Sequence, residues 1–330
     1  MSAAATSGRF WFASPPPDVA VEIGGTQVTA VAIGDQGRSP VVTGHASEPL
    51  PPGLVAPSLN AVNVHDERAL GEVVRTVLQR LGGWTRRIGL VLPDAVAKVS
   101  LVRFEKVPEK TQDLDQLIRW QVRKTAPFRI EDAQVSWQPG ARVAEGGREF
   151  LVVMARTDVL QSYERACAAA GVHAGLVDLA SFGQVNAVLA GDAGSRDWLL
   201  VSITADAGTL AVVRDEVLVF YRHRHTEGEA DLPDLVHQTA MYHEDRLGGG
   251  GFARVVLAGA SLLGPDDGER LRRALEARIG APVHAVDFRS AAAIRDRIAA
   301  GPEILDALAA PVGLLLGERA APRRAAGVAS

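Results

Sequence analysis

The sequence predicts an α/β protein of two lobes, duplicated in plan, with a small α+β subdomain inserted into the first lobe. Three observations carry this. A strand–turn–strand unit occurs twice, as VAVEI-GGTQ-VTAVAI and as LLVSI-TADAG-TLAVV. Each copy opens a half-chain that continues with apolar runs of strand length and segments of helical periodicity. Between about residues 96 and 175 the pattern shifts to a separate α+β unit. The boundaries read from these shifts are a flexible tail at 1–17, a first lobe at 18–95, the insert at 96–175 and a return to the first lobe at 176–197. A second lobe at 198–300 follows, then a closing helix and C-terminal tail at 301–330.

The tail carries Phe10-Trp11-Phe12 and then three prolines, which fix φ and remove donors. The aromatic cluster either docks on the body or meets a partner or membrane interface. DVAVEI and VTAVAI read as a hairpin turning at Gly24-Gly25-Thr26-Gln27. After a Pro-rich loop at 49–57, Asp66 can cap a helix with Leu70, Val73, Val74, Val77, Leu78 and Leu81 at 3.6-residue spacing, stopped by Gly82-Gly83. IGLVL, ended by Pro93, has the uniform apolarity of a strand covered on both faces in a parallel sheet. In the insert, VSLVRF is a strand, Leu114 to Lys124 a helix with Leu114, Leu117, Ile118 and Val122 on one face, and FLVVMA a strand. Thr157 is expected to cap the next helix, which Gly171 closes. The second half adds WLLVSI, TLAVV, a charged turn at Arg214-Asp215-Glu216 and VLVFY. A helix at 232–247, the strand RVVLAG, and helices at 267–279 and 303–317 complete it.

The 330 residues are 47% hydrophobic and 22% charged, which is globular composition and allows two domains. A net charge of −4 gives no general attraction for nucleic acid. One cysteine, Cys167, excludes an intramolecular disulfide and any multi-cysteine metal site. No apolar run approaches the roughly 18 residues that span a bilayer, and no signal peptide is visible, so the chain reads as cytoplasmic.

A tight turn of Gly and hydroxyl residues presents backbone N–H groups that can cradle a phosphate, and two facing turns can hold a nucleotide. The candidates are Glu22, Gly24, Gly25, Thr26 and Gln27 at the first turn, and Ser202, Thr204, Ala205, Gly208 and Thr209 at the second. Gly259, Ala260 and Ser261, after the strand RVVLAG, form a third turn that could admit adenine and ribose.

The order of these pieces resembles the actin-like, ribonuclease H-like duplicated ATPase fold. Within it the chain resembles the type IV pilus assembly protein PilM family, related to the division protein FtsA. VEIGGTQVTAVAI stands where that family has its phosphate hairpin. The stretch VRFEKVPEKTQDLDQLIRWQVRKTAPFRIEDAQVSW, with Ile118, Trp120, Pro127 and Phe128, resembles its inserted subdomain. VVLAGASLL resembles its adenosine motif and PVGLLLG its closing helix, and Arg222 matches a family arginine. The resemblance implies a cytoplasmic scaffold peripheral to the inner membrane, in a pilus or related secretion platform. It implies a groove between first lobe and insert that takes the N-terminal tail of a PilN-like membrane protein, with other platform proteins and self-association as further contacts. Arg119, Trp120, Arg123 and Phe128 are the candidate partner-binding residues, Trp and Arg being frequent interface anchors.

Departures from the family pattern bear on catalysis. Glu22 replaces an Asp that helps organise Mg²⁺ and water, and the added methylene moves the carboxylate. Ser202-Ile203-Thr204 stands for Asp-Ile-Gly, and Ala260 for the second glycine of a Gly-Gly pair. ATP and Mg²⁺ are therefore expected to be held weakly or not at all, with no catalytic residue, no metal site and no required cofactor. The alternative is an active Mg-ATP-binding ATPase of the same machine. Ile23-Gly24-Gly25-Thr26 also resembles ROK-type sugar kinases, but their Asn-Asp base pair and cysteine zinc loop are missing. A type II secretion relative is disfavoured because it carries its own membrane helix. His223, His225, His237 and His243 could form a metal site, but Arg222-His223-Arg224-His225 reads instead as a basic exposed strand end.

Overall fold

The computed structural model describes residues 16–327 except 38, 83–84, 144–146, 192–193, 195, 227–230 and 296–300. The readings placed on Phe10-Trp11-Phe12 lie outside these residues. In chain order the first lobe opens with β1 (Val19–Ile23), β2 (Gln27–Gln36), β3 (Ser39–Pro49), α1 (Glu67–Arg80) and β4 (Arg87–Leu92). The insert holds β5 (Ala97–Phe104), α2 (Thr111–Arg123), β6 (Ala133–Arg142) and β7 (Arg148–Arg156). The chain returns through α3 (Thr157–Ala169), β8 (His173–Leu179) and α4 (Ala180–Gly191). The second lobe is β9 (Trp198–Ile203), β10 (Ala207–Arg214), β11 (Val217–His225), α5 (Asp231–Leu247), β12 (Arg254–Ala258), α6 (Pro265–Ile279) and β13 (Val283–Ala285). A two-residue β14 (Ala293–Ile294) and α7 (Pro302–Gly327) close the chain.

Three sheets result, in the spatial orders β14-β3-β2-β1-β4-β8, β11-β10-β9-β12-β13 and β5-β7-β6. The two large sheets repeat one plan: an antiparallel hairpin whose first strand pairs in parallel with the next apolar strand, β1 with β4 and β9 with β12. That is the duplication visible in the sequence. β4 is apolar from Ile88 to Leu92 because both its faces are covered there, and a Cβ at Gly89 would lie 2.7 Å from Leu314. Asp66 caps α1 by accepting from the amides of Arg68 and Ala69 at 2.9 and 3.0 Å.

Two expectations are corrected. Thr157 does not cap α3; the helix begins at Thr157, and the residue before it, Arg156, makes no side-chain cap bond. That helix, grouped with the insert by sequence, packs on the first lobe, where Val159, Tyr163 and Cys167 join Val21 and Leu90. The insert keeps its own small core, in which Leu114, Ile118 and Val122 of α2 cover Phe150, Val152 and Met154 of β7.

The core that joins the lobes is made by α4 and α7, which lie between the two large sheets. Val185 and Val188 of α4, and Leu308, Val312 and Leu315 of α7, meet Ala20 and Val91 of one sheet and Trp198 and Leu200 of the other. The helices touch backbone to backbone: a Cβ on Gly313 would lie 1.8 Å from the carbonyl oxygen of Gly183, and one on Gly183 would lie 2.3 Å from that of Ala310. No side-chain rotation relieves such a clash, so the helices would have to part. Gly313→Ala should therefore destabilise the protein by about 3 kcal/mol in a denaturant titration; a loss within the scatter of surface substitutions would contradict this packing.

Candidate functional site: the cleft between the lobes

The first hairpin turn closes through Gly24 N–H donating to the Gln27 carbonyl at 2.9 Å, and the Thr26 carbonyl accepts from Leu50 N–H at 2.7 Å. The second closes through Thr204 N–H donating to the Ala207 carbonyl at 2.9 Å, with the Thr204 hydroxyl on Asp206 at 3.1 Å. Ala205 and Asp206 are exposed at its tip, whereas Ser202 and Thr209, paired across the hairpin, are buried. Gly208 lets Leu232 approach; a Cβ there would be 2.9 Å from its methyl.

Between the turns lies a residue that the sequence did not single out. Asp94, just after β4, accepts from the Ser181 hydroxyl at 2.7 Å and the Ser181 amide at 3.2 Å on one oxygen. Its other oxygen accepts from the Thr209 hydroxyl at 2.9 Å, so a first-lobe carboxylate grips the second-lobe hairpin. Since Thr209 gives its one proton to Asp94, His223 Nδ1, 2.8 Å away, must donate to the Thr209 oxygen. His223 is thus the Nδ1–H tautomer, and its buried Nε2 has no hydrogen-bond partner. By the same count Tyr221 donates to Ser181 Oγ at 3.2 Å. Burial lowers the His223 pKa and outweighs the pull of Asp94.

Glu22 sits beside this network, its pKa pushed up to about 8 by burial and then by the charges of Asp94 and Asp306. In the metal-free protein its protonated form is therefore favoured at neutral pH. Asp178, at the end of β8, is raised to about 7, first by burial. At the third turn, Asp306 of α7 takes the Gly259 amide at 2.6 Å, the Ser261 amide at 3.0 Å and the Ser261 hydroxyl at 2.6 Å. Asp94 and Asp306 thus bond the second hairpin and the third turn, and both lie close enough to act on Glu22 of the first hairpin.

The histidine reading is corrected. Arg224 and His225 are exposed as expected, but His223 faces the Asp94 network, and fully buried His243 bonds Asp197 at 2.5 Å and stacks on Phe252. Among the described residues no three His, Cys, Asp or Glu side chains are placed to hold a metal ion.

The candidate partner residues lie on the insert, three of them on α2. Trp120 is 58% exposed, with Lys124 Nζ 4.6 Å above its ring. Arg119 bonds Asp115, which also accepts from Trp137 Nε1. Arg123, paired with Glu131, and Phe128 line a hollow of about 360 Å³. A separate groove of about 270 Å³ runs between the insert, α4 and the β10–β11 turn of the second lobe, where Glu216 and Leu218 also line it. Trp137, Leu151 and Val153 form one wall and Phe182, Val185 and Leu189 of α4 the other, with Asp178 also lining it.

The burial of Glu22 has a pH signature. Its pKa is higher in the folded chain than the ordinary 4.5, so the folded state binds the extra proton. The associated stability is full below about pH 4.5 and is lost as pH rises toward 8. Glu22→Gln has no proton to lose, so its melting temperature should gain on the wild type from pH 5 to pH 8. Parallel melting curves across that range would contradict the buried acid.

The sequence model of the type IV pilus assembly protein PilM family matches residues 20–245. No curated protein sequence matches the chain. Among solved structures it is similar to a PilM–PilN type IV pilus biogenesis complex, at 19% identity and a TM-score of 0.78, over 92% of this chain and 99% of that one. It is also similar to a Bacteroides thetaiotaomicron protein with an actin-like ATPase fold, at 11% identity and a TM-score of 0.50, over 88% and 94% of the two chains. These likenesses show the fold, a two-lobed actin-like α/β architecture. The family match spans the first hairpin, the insert and the second hairpin, and the chain belongs to the type IV pilus assembly protein PilM family.

Proposed function

We propose that this chain is a scaffold of a type IV pilus, or related secretion, inner-membrane platform that holds the tail of a PilN-like membrane protein and does not turn over ATP. It works from the cytoplasmic side and reaches the membrane through that partner; among the described residues no helix is long and apolar enough to cross one. The observation that carries the reading is the Asp94–Thr209 bond. The Asp94 oxygen that faces the second hairpin is committed to the Thr209 hydroxyl, so an oxygen that could serve Mg²⁺ is spent on joining the lobes. Glu22 next to it, held in its protonated form in the metal-free protein, is a weaker base for water than an ionised carboxylate.

The family match and the likeness to a PilM–PilN complex support the partner. The groove beside the insert suits an extended peptide, with apolar walls for side chains. Val153 lines it on β7 while remaining partly exposed. In calorimetry with the partner's cytoplasmic tail, Val153→Arg should weaken binding at least about tenfold, the loss of roughly 1.4 kcal/mol, with the fold retained. Trp120→Ala should leave binding nearly unchanged. The opposite ranking would move the site to the α2 surface, and no binding at high micromolar concentration would defeat the partner reading.

The actin-like fold itself favours one second reading, a working Mg-ATPase. Ligand at 100 times its dissociation constant stabilises a protein by about 2.7 kcal/mol. The scaffold reading predicts no thermal shift with millimolar Mg-ATP and no phosphate release; either signal would overturn it in favour of the ATPase.

A further inference from the structure

The groove beside the insert holds one carboxyl group that the scaffold reading leaves without a task. Asp178 stands near the end of β8, in register with Val91 of β4, and lines the groove among its apolar walls. One of its oxygens accepts from the Leu179 amide at 2.9 Å. Among the described residues no donor meets the other. The charged groups that act on it are both negative, Asp94 after β4 and Glu318 of α7. No Lys, Arg or His is among the described residues that line the groove, and its other charged residue is Glu216 of the β10–β11 turn. Burial first, and then the two carboxylates, push the Asp178 pKa up to about 7. A carboxyl group so placed lacks a counter-charge, and an incoming cation is what would supply it.

The geometry points to Asp178 as the residue that sets the specificity of this groove. It selects a tail whose apolar residues flank one positive charge, either a Lys or Arg side chain or the amino terminus. The inference rests on the reading of the groove as the tail site, and deepens it by naming the chemistry of the tail. A cation seated against Asp178 gives its second oxygen a charge-assisted donor. The carboxyl group then ionises, and the proton it carried passes to solvent as the tail binds. A wholly apolar or acidic segment would cover the acid without pairing it, which is a penalty rather than a gain.

The test is calorimetry with the synthetic cytoplasmic tail of the PilN-like partner, in buffers of different ionisation enthalpy, from about pH 5.5 to about pH 7.5. Asp178→Asn keeps an acceptor for the Leu179 amide and should bind the tail at least about tenfold more weakly at the upper pH. Wild-type affinity should rise with pH across this range, with protons released on binding, because the free protein must give up the Asp178 proton. The variant should lose that part of both. Glu22 and His223 are present in both proteins, so the difference isolates Asp178. Further tails carry an acetylated amino terminus, Gln in place of Lys and Arg, or both changes. The change that weakens wild-type binding as Asp178→Asn does, and adds little on top of it, identifies the cation. These tails decide the matter on the wild type alone if the variant does not fold. Equal affinity and equal proton release in wild type and variant would overturn the inference and leave the groove reading intact, as would full binding of the doubly neutral tail. A wild type that takes no tail defeats the groove reading, and this inference with it.

Discussion

Two helices crossing at backbone contact set the geometry of the whole molecule. Because Gly183 and Gly313 have no side chains, α4 and α7 fit together as one layer between the two large sheets. Each sheet then needs only outer helices on its far face, α1 and α3 on one and α5 and α6 on the other. The ends of the duplicated hairpins are brought to a shared gap by this layer. Asp94, Ser181 and Thr209 meet there although they come from a loop, the start of α4 and the second hairpin.

A gap of this kind in an actin-like fold brings polar turns together, and their donors need acceptors. In this chain the acceptors are its own carboxylates. Asp94 takes the Thr209 and Ser181 hydroxyls, and Asp306 takes two amides at the third turn. The accumulated negative charge is tolerable because each of these two is hydrogen-bonded and Glu22 keeps its proton. The same bonds hold the two lobes against one another.

Much of the fold was legible because its signals are local. The hairpins, α1 with its Asp66 cap, β4 and the face of α2 follow from periodicity and punctuation within a few residues. α4 was not legible as a helix, since a segment covered by sheets on both sides is apolar all round and shows no stripe. β3 is masked by Pro40, Gly44 and His45 in a strand that pairs only with β2 and two residues of β14. The cleft was legible by half. Its turns were found from glycine and hydroxyl clusters, but Asp94 and Asp306 bond groups that are distant in sequence, for which no spacing rule exists. A hint was available for Asp306, a lone charge within the apolar run 304–317. A groove beside the insert was expected from the family resemblance, but not its lining, which comes from β6, β7, α4 and the β10–β11 turn and meets only in the folded chain.

The central claim is that the chain itself, rather than a ligand, holds the two lobes together. Small-angle X-ray scattering of the purified protein, with and without saturating Mg-ATP, tests it most directly. The account predicts superimposable curves that match the closed two-lobed shape in both conditions. An open form in the absence of nucleotide that contracts when Mg-ATP is added would contradict it.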